Sequence, residues 1–160
     1  MSTKSFIINL PIITGDQDRR RLRKSFSFGC NLQNAVMGGG WDRVLKMRAT
    51  AEWQTARAMP KSSERTKAFR DLRVRFRLSE YDFHADVAKH RKASGRGHLL
   101  GINECQKLAS RAWISVERHL YNGGSPRFIS SRRGLHSIEG KTNRTGIIWK
   151  ADQQCVTVCK

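Results

Sequence analysis

The sequence predicts an α+β protein in which a helical middle lies between short strands. Through most of the stretch 16–123, apolar residues recur at three- and four-residue steps, the period of a helix that buries one face. β-branched and aromatic runs, typical of strands, lie before this stretch at 6–10 and after it from 127 onward. An isolated strand pair is marginal in water, so we expect the strand at 6–10 to need partners from the C-terminal part.

The first helix is expected to begin near Asp16, because Thr14-Gly15-Asp16-Gln17 fits a capping box. Its first turns carry five cations, an arrangement that opposes the helix dipole and that a bound phosphate would relieve. The triplet Gly38-Gly39-Gly40 is not a phosphate-binding loop, because no Lys-Ser/Thr pair follows at the required spacing. We interpret the triplet as a flexible joint between the first helix and a second one.

Three more helices are expected between this joint and residue 92. The second begins at Trp41 and ends before Pro60, and Ser63 caps the third. The stretch 72–78 alternates apolar residues with Arg as a strand does, yet its apolar positions also fit a helix that begins earlier. We favour the helix, because Ser79 and the residues after it resemble the start of a fourth one. The core stripe of that fourth helix is predicted to be Tyr81, Phe83, Val87 and Ala88.

A long fifth helix is expected to start at Asn103, which would form a capping box with Gln106. Gly123-Gly124 supplies the positive φ that ends a helix, and Pro126 prevents the helix from resuming. Short strands at 127–129, 137–141 and 147–149 would then form a small meander rich in Arg, Lys and Gly, followed by a hairpin turn at 150–153.

Phe128 is predicted to be buried between the fifth helix and the meander. Neighbouring side chains of a strand face opposite ways, so Arg127 would then face solvent, and Arg132 is expected to do the same. If the ring is fully buried, Phe128→Ala is expected to lower the free energy of unfolding by about 3–5 kcal/mol.

The charge of the chain limits its possible partners. Lys and Arg number 31 and Asp and Glu 13, which gives a net charge of +18. Such a charge repels itself unless a polyanion neutralises it, so nucleic acid is the first candidate and an anionic membrane surface the second. No apolar run approaches the roughly 20 residues of a membrane helix, and no signal peptide is recognised. The four cysteines are therefore expected to be reduced thiols in a cytosol.

The predicted phosphate contacts lie mostly in loops, where several cations can converge on one backbone. Trp149, on the basic meander, is the tryptophan best placed to stack a base. The residues predicted to contact nucleic acid are Arg127, Arg132, Arg133, Lys141, Asn143, Arg144, Trp149, Arg73 and Arg77. No metal site or cofactor is expected, because the five histidines form no ligand pattern and Cys155 and Cys159 have no matching second pair.

Several motifs, in this order, resemble the TnpB-type transposon proteins, the insertion-sequence OrfB transposases and RNA-guided nucleases similar to type V CRISPR effectors. The Pro-Arg-Phe element at 126–128 is the most recognisable. The resemblance covers nearly the whole chain, but only the front part of a family member. The motifs are Phe28-Gly29-Cys30, Leu78-Ser79-Glu80-Tyr81, Gln106-Lys107-Leu108-Ala109, Arg111-Ala112-Trp113, Gly124-Ser125-Pro126-Arg127-Phe128, Ser137-Ile138-Glu139-Gly140-Lys141 and Gly146-Ile147-Ile148-Trp149.

The resemblance implies a discontinuous, antiparallel β-barrel-like (wedge) domain from residues 1–15 and 124–160, with a helical recognition lobe at 16–123 inserted into it. It implies binding of a structured guide-type RNA and of DNA, in a prokaryotic cytoplasm or at the nucleoid. The metal-binding carboxylates of the family's nuclease domain follow this region, so no nuclease domain and no catalytic residue are assigned. Asp152 is interpreted as a turn residue.

Three alternatives remain open at this stage. The chain is one part of a split RNA-guided DNA endonuclease whose catalytic domain is on another polypeptide, or it is a transposon remnant without function. The third alternative is an unrelated basic protein, such as a ribosome-associated one.

Overall fold

The computed structural model describes residues 11–140 and 147–158, which form five helices and one hairpin. This arrangement confirms the α+β class. The described strands form a single antiparallel pair, and the predicted strand at 6–10 lies outside the described residues. The elements are α1 (Asp16–Arg48), α2 (Ala51–Ala58), α3 (Ser63–Arg75), α4 (Glu80–Ala93), α5 (Ile102–Glu117), β1 (Ile147–Lys150) and β2 (Cys155–Val158).

The core lies where α1, α4 and α5 pack against one another, and α2 with α3 forms a hairpin beside the C-terminal end of α1. The helix α1 contains 33 residues, which corresponds to a rod about 50 Å long at 1.5 Å per residue. Met37, Phe83 and Val116 are fully buried, one from each of the three core helices. Within the described part of the chain, none of the helices has an apolar run long enough to cross a bilayer.

The glycine triplet lies inside α1, so the predicted flexible joint and the separate second helix from Trp41 are wrong. The reason is close packing. The ring of Phe83, which has no exposure to solvent, lies directly on Gly40, and a Cβ at position 40 would collide with it. Glycine inside a helix costs about 1 kcal/mol relative to Ala, and burial of a phenylalanine side chain, worth about 1.5–3 kcal/mol, offsets that cost.

The ambiguous stretch 72–78 is helical as far as Arg75, which confirms the helix interpretation. Arg77 has a left-handed φ of 53°, and it turns the chain so that Leu78 is fully buried. The Ser79 hydroxyl oxygen accepts a hydrogen bond from the Asp82 backbone N–H, so the predicted cap of α4 is confirmed. The cap of α3 is Ser62 rather than Ser63.

Two of the four residues predicted to form the core stripe of α4 are buried. Phe83 and Val87 are fully buried, whereas Tyr81 is 84% exposed and Ala88 is exposed. A helix turns about 100° per residue, so Tyr81, two positions before Phe83, points away from the buried face. The predicted cap of α5 is also wrong, because the N-cap is Gly101 and not Asn103.

The segment after α5 is irregular, so the strands predicted at 127–129 and in the described part of 137–141 are wrong. At Ile129 the backbone forms its hydrogen bonds with a side chain instead of a neighbouring strand. The Ile129 N–H donates to Asn34 Oδ1 at 3.0 Å, and Asn34 Nδ2 donates to the Ile129 carbonyl at 2.8 Å. One asparagine of α1 thus replaces the partner that a neighbouring strand would have supplied.

The C-terminal hairpin agrees with the predicted strand at 147–149 and the turn that follows it. Strand β1 pairs antiparallel with β2, with Ile147 opposite Val158 and Lys150 opposite Cys155. The turn occupies residues 151–154 and contains Asp152, as predicted. The domain boundaries proposed from the sequence stay predictions.

Candidate nucleic-acid interface

The groove formed by the segment 125–137 on the surface of α1 and α5 contains three of the six candidate residues that the structure describes, and it is called the loop groove here. Its volume is about 1010 Å³. Pro126 is buried at one end of the segment, and the Asn34–Ile129 pair fastens it to α1. At its other end, Leu135 packs against the core. The segment is therefore a loop held at three places rather than a strand in a sheet.

Three arginines of this loop have no acidic partner. Arg127, Arg132 and Arg133 line the groove and are exposed. None of the three forms an ion pair with a carboxylate among the described residues, which include every Asp and Glu of the chain. Their charges are therefore available to a ligand.

A fourth arginine of the groove, Arg111, has a structural role. Its guanidinium donates to the Ser137 carbonyl at 2.8 Å and pairs with the Glu139 carboxylate. Hydrogen bonds from Arg111, together with the charges of Arg111 and Lys107, lower the pKa of Glu139. This carboxylate is thus engaged by α5, and it leaves the loop arginines unneutralised.

Phe128 is 51% exposed, so its predicted burial is wrong. Because the segment is not a strand, the alternation between inside and outside that the prediction assumed does not apply. The ring lies against α1 at Gly38, where a Cβ would stand 3.7 Å from its Cε1 atom. An aromatic ring with half of its surface in solvent, among unpaired arginines, has the composition of a platform for stacking bases.

The remaining predicted contacts are divided among several places. Trp149 is 43% exposed on β1. Lys141, Asn143 and Arg144 lie outside the described residues, and their assignments stay predictions. The loop groove therefore brings together three of the nine predicted residues.

Arg73 and Arg77 are engaged within the protein. Arg73 pairs with Glu117 at 3.5 Å and lies over the Trp113 ring, with 5.3 Å between its Cζ atom and the ring centroid. Arg77 pairs with Asp82 at 3.3 Å and with Asp86 at 3.5 Å. A phosphate at either arginine would have to compete with an existing carboxylate, so their assignment stays a prediction.

A second groove, between α2, α3 and the residues after α5, was missed by the sequence reasoning and is called the helix groove here. Its volume is about 1050 Å³, and it contains cations and aromatic rings from three separate segments. Arg57, Lys61 and Arg65 are spaced by four residues, but Pro60 breaks the helix between them, so helical periodicity does not place them together. The fold alone brings them to one groove.

No three His, Cys, Asp or Glu side chains in 11–140 and 147–158 come together to hold a metal ion. Burial raises the pKa of the Cys105 thiol to about 11, so this thiol is protonated at neutral pH and is a poor nucleophile. Burial likewise raises the pKa of Cys30.

Comparisons of the chain with protein-family models, with curated proteins and with solved structures gave no match.

Proposed function

We propose that the chain binds single-stranded nucleic acid, and RNA in particular, through the loop groove. The observation that carries the proposal is the group of three exposed, unpaired arginines, Arg127, Arg132 and Arg133, beside the half-exposed ring of Phe128. The net charge of +18 adds a long-range attraction for any polyanion.

The combination of charge and ring favours a single strand over a duplex. Arginines bind phosphates in either form, but bases in a duplex are stacked on one another and offer no free face to a side chain. Unpaired bases can stack on aromatic rings, and sequence-specific RNA recognition mostly uses such unpaired regions. Phe128 therefore supports a ligand with unpaired bases.

The resemblance to TnpB-type proteins gives a narrower form of this proposal. In that form the chain is the guide-RNA-binding and DNA-binding front half of such a protein, with a helical lobe and a basic segment after it. The motif order and the basic charge support it. A second candidate, one part of a split endonuclease, differs in requiring another polypeptide that carries the three metal-binding carboxylates. It predicts magnesium-dependent DNA cleavage only after that polypeptide is added.

A salt titration of two charge-matched variants tests the binding site. The double variant Arg132→Gln, Arg133→Gln removes two cations from the loop groove. The control, Lys89→Gln with Arg96→Gln, removes two exposed, unpaired cations at the end of α4 and just after it. Binding of a fluorescent oligouridylate is measured from 50 to 200 mM salt.

Each lost phosphate contact on a single strand should reduce the slope of log K against log salt by about 0.7, so the loop variant should lose about 1.4. The control should keep the slope of the unmodified protein. Equal losses in the two variants would show a diffuse electrostatic attraction and would overturn the assignment to the loop groove.

A further inference from the structure

The helix groove has an aromatic floor made of three rings. Trp53 and Tyr121 are stacked, with ring centroids 5.9 Å apart and an interplanar angle of 11°. Phe69 meets both rings edge-on, at 5.1 Å from Trp53 and 5.2 Å from Tyr121. Trp53 is 2% exposed, whereas Tyr121 is 44% exposed and lines the groove. Trp53 thus supports one face of Tyr121, and the remaining surface of that ring is open to the groove.

One side chain of α1 holds several backbone carbonyls of the loop that carries Tyr121. The Arg48 guanidinium, in the last turn of α1, donates to the backbone carbonyls of His119, Leu120 and Asn122, with distances of 3.2 Å to Leu120 and 2.7 Å to Asn122. The positions on both sides of Tyr121 are therefore held. Because the ring is ordered before any ligand arrives, a ligand that stacks on it does not have to order it.

The walls of the helix groove carry a concentrated positive charge. Arg57, Lys61, Arg65 and Arg70 line it, and none of them pairs with a carboxylate in the part of the chain that the structure describes. Burial and the positive charge of Arg57 lower the pKa of Arg48, so Arg57 acts electrostatically on the side chain that holds the Tyr121 loop.

The acidic residue in the lining, Asp82, does not neutralise these cations. It pairs with Arg77 at 3.3 Å and accepts the Ser79 hydroxyl at 2.6 Å. Four like charges beside one another are mutually repulsive, and an anion between them would relieve that repulsion.

We infer that the helix groove is a second binding site for single-stranded nucleic acid, which holds an unpaired base on Tyr121 and the adjoining phosphates on Arg57, Lys61, Arg65 and Arg70. This inference rests on the proposed function, because it assigns a second segment of the same ligand. Tyr121 and Phe128 belong to one loop and are seven residues apart, so their Cα atoms lie at most about 25 Å from each other. One strand can therefore reach both rings.

An acidic peptide is the competing ligand, and the shape of the floor disfavours it. The carboxylates of such a peptide would satisfy the cations, but they would leave the supported ring of Tyr121 without a flat partner. Every base has a π-face that fits this ring, and stacking on an aromatic side chain tolerates any sequence.

Photo-crosslinking tests the two grooves separately, because trypsin divides their rings between two peptides. Cleavage after Arg118, Arg127 and Arg132 gives peptide 119–127, which contains Tyr121, and peptide 128–132, which contains Phe128. The full chain is irradiated with a short oligouridylate that contains 5-iodouridine, and the labelled peptides are identified by mass spectrometry.

We expect label on both peptides in the unmodified protein, and loss of label from 119–127 alone in Tyr121→Leu. Label on 128–132 without label on 119–127 would overturn the helix groove while leaving the loop groove intact. Label on 119–127 alone would overturn the loop groove and keep the inference for the helix groove. Absence of label from both peptides would overturn both sites.

Equilibrium binding provides a second, independent measurement. Tyr121→Ala should weaken oligouridylate binding by about 5- to 150-fold, the equivalent of one stacked base. Tyr121→Phe, which keeps the ring, should bind as the unmodified protein does. The control Tyr81→Ala alters the other tyrosine of the chain, 84% exposed on α4, and should have no effect.

Probes without bases separate stacking from charge. Tyr121→Ala should leave the affinity for inorganic polyphosphate unchanged, whereas Arg57→Gln with Arg70→Gln should weaken both polyphosphate and oligouridylate. A melting curve of each variant verifies that it is folded. Equal loss of both probes in Tyr121→Ala, or tighter binding of polyglutamate than of oligouridylate at this groove, would overturn the base-stacking site.

Discussion

Two phenylalanine rings pack on two glycines of the same helix, and they differ in their exposure to solvent. The ring of Phe83 lies on Gly40 with no exposure to solvent, whereas the ring of Phe128 lies on Gly38 and keeps 51% of its surface exposed. Positions two apart on a helix point about 200° away from each other, so Gly40 faces α4 and the core while Gly38 faces the loop that carries Phe128. One glycine triplet thus faces the buried core on one side and the proposed binding site on the other.

The largest expected effects on stability are at the buried contact between Gly40 and Phe83, where Phe83→Ala should cost about 3–5 kcal/mol. Gly40→Ala should destabilise the protein by about 1–3 kcal/mol, because the new Cβ collides with the Phe83 ring in a closely packed core. Gly39→Ala is the matched control, since a Cβ at position 39 meets nothing within 4 Å. It should stabilise α1 by about 0.5–1 kcal/mol through helix propensity alone. Urea unfolding measures the free energy of unfolding, which should fall for Gly40→Ala and rise for Gly39→Ala. Destabilisation by Gly39→Ala would restore the flexible-joint interpretation.

The next effect concerns how the loop is held. Asn34→Ala should cost about 1–2 kcal/mol, because it removes both hydrogen bonds to the Ile129 backbone. Hydrogen exchange should then rise throughout 125–137 while the core of α4 and α5 stays protected. Asn31→Ala, an exposed asparagine on the same helix, is the control. Unchanged exchange in 125–137 would mean that Asn34 does not fasten the loop.

The exposed ring should matter more for binding than for folding. Phe128→Ala should reduce stability by about 1 kcal/mol or less, because half of the ring already contacts water. Phe83→Ala, by comparison, should cost about 3–5 kcal/mol. Oligouridylate affinity of Phe128→Ala should fall about 5- to 150-fold. A large loss of stability with unchanged affinity would reverse the roles given to the two rings.

The smallest expected effect is a dependence on pH at the edge of the loop groove. Hydrogen bonds from Arg111 lower the pKa of Glu139 below its ordinary value of 4.5 in the folded chain. The pair therefore stabilises the fold above about pH 4.5 and loses that contribution as the pH falls through the folded pKa. Both side chains are partly exposed, so the contribution is about 0.2–1 kcal/mol. Melting curves from pH 6 to pH 3 should show a smaller decrease for Glu139→Gln, and identical decreases would contradict the pair's role.

Local signals predicted the local parts of this fold. Ser79 begins α4 because its side chain caps a backbone N–H three residues on, and the turn at 151–154 follows from short-range turn chemistry. Contacts between distant segments were not predictable in this way. Asn34 and Ile129 are 95 residues apart, so nothing near Ile129 indicates that an α1 side chain replaces its strand partner.

The same limit applies to the candidate sites. Position in basic loops led to the prediction that Arg127, Arg132 and Arg133 contact phosphates, and the structure shows all three exposed. The predicted burial of Phe128 depended on the side-chain alternation of a strand, and the structure has no strand at this position. The helix groove was missed, since its rings and cations become neighbours only after α2 and α3 fold back against the residues that follow α5.

Because α1 is continuous, it fixes the spacing between the attachment points of the two grooves. Gly38 lies beneath Phe128, and Arg48 holds the loop of Tyr121 ten residues further along the same rigid rod, a rise of about 15 Å. A strand stacked at about 3.4 Å per nucleotide would need about five nucleotides to cover that rise. Shorter oligonucleotides would occupy one groove at a time, while longer ones would gain the effective concentration of a tethered second contact. Affinity should therefore rise steeply with oligonucleotide length near this size, and only slowly beyond it.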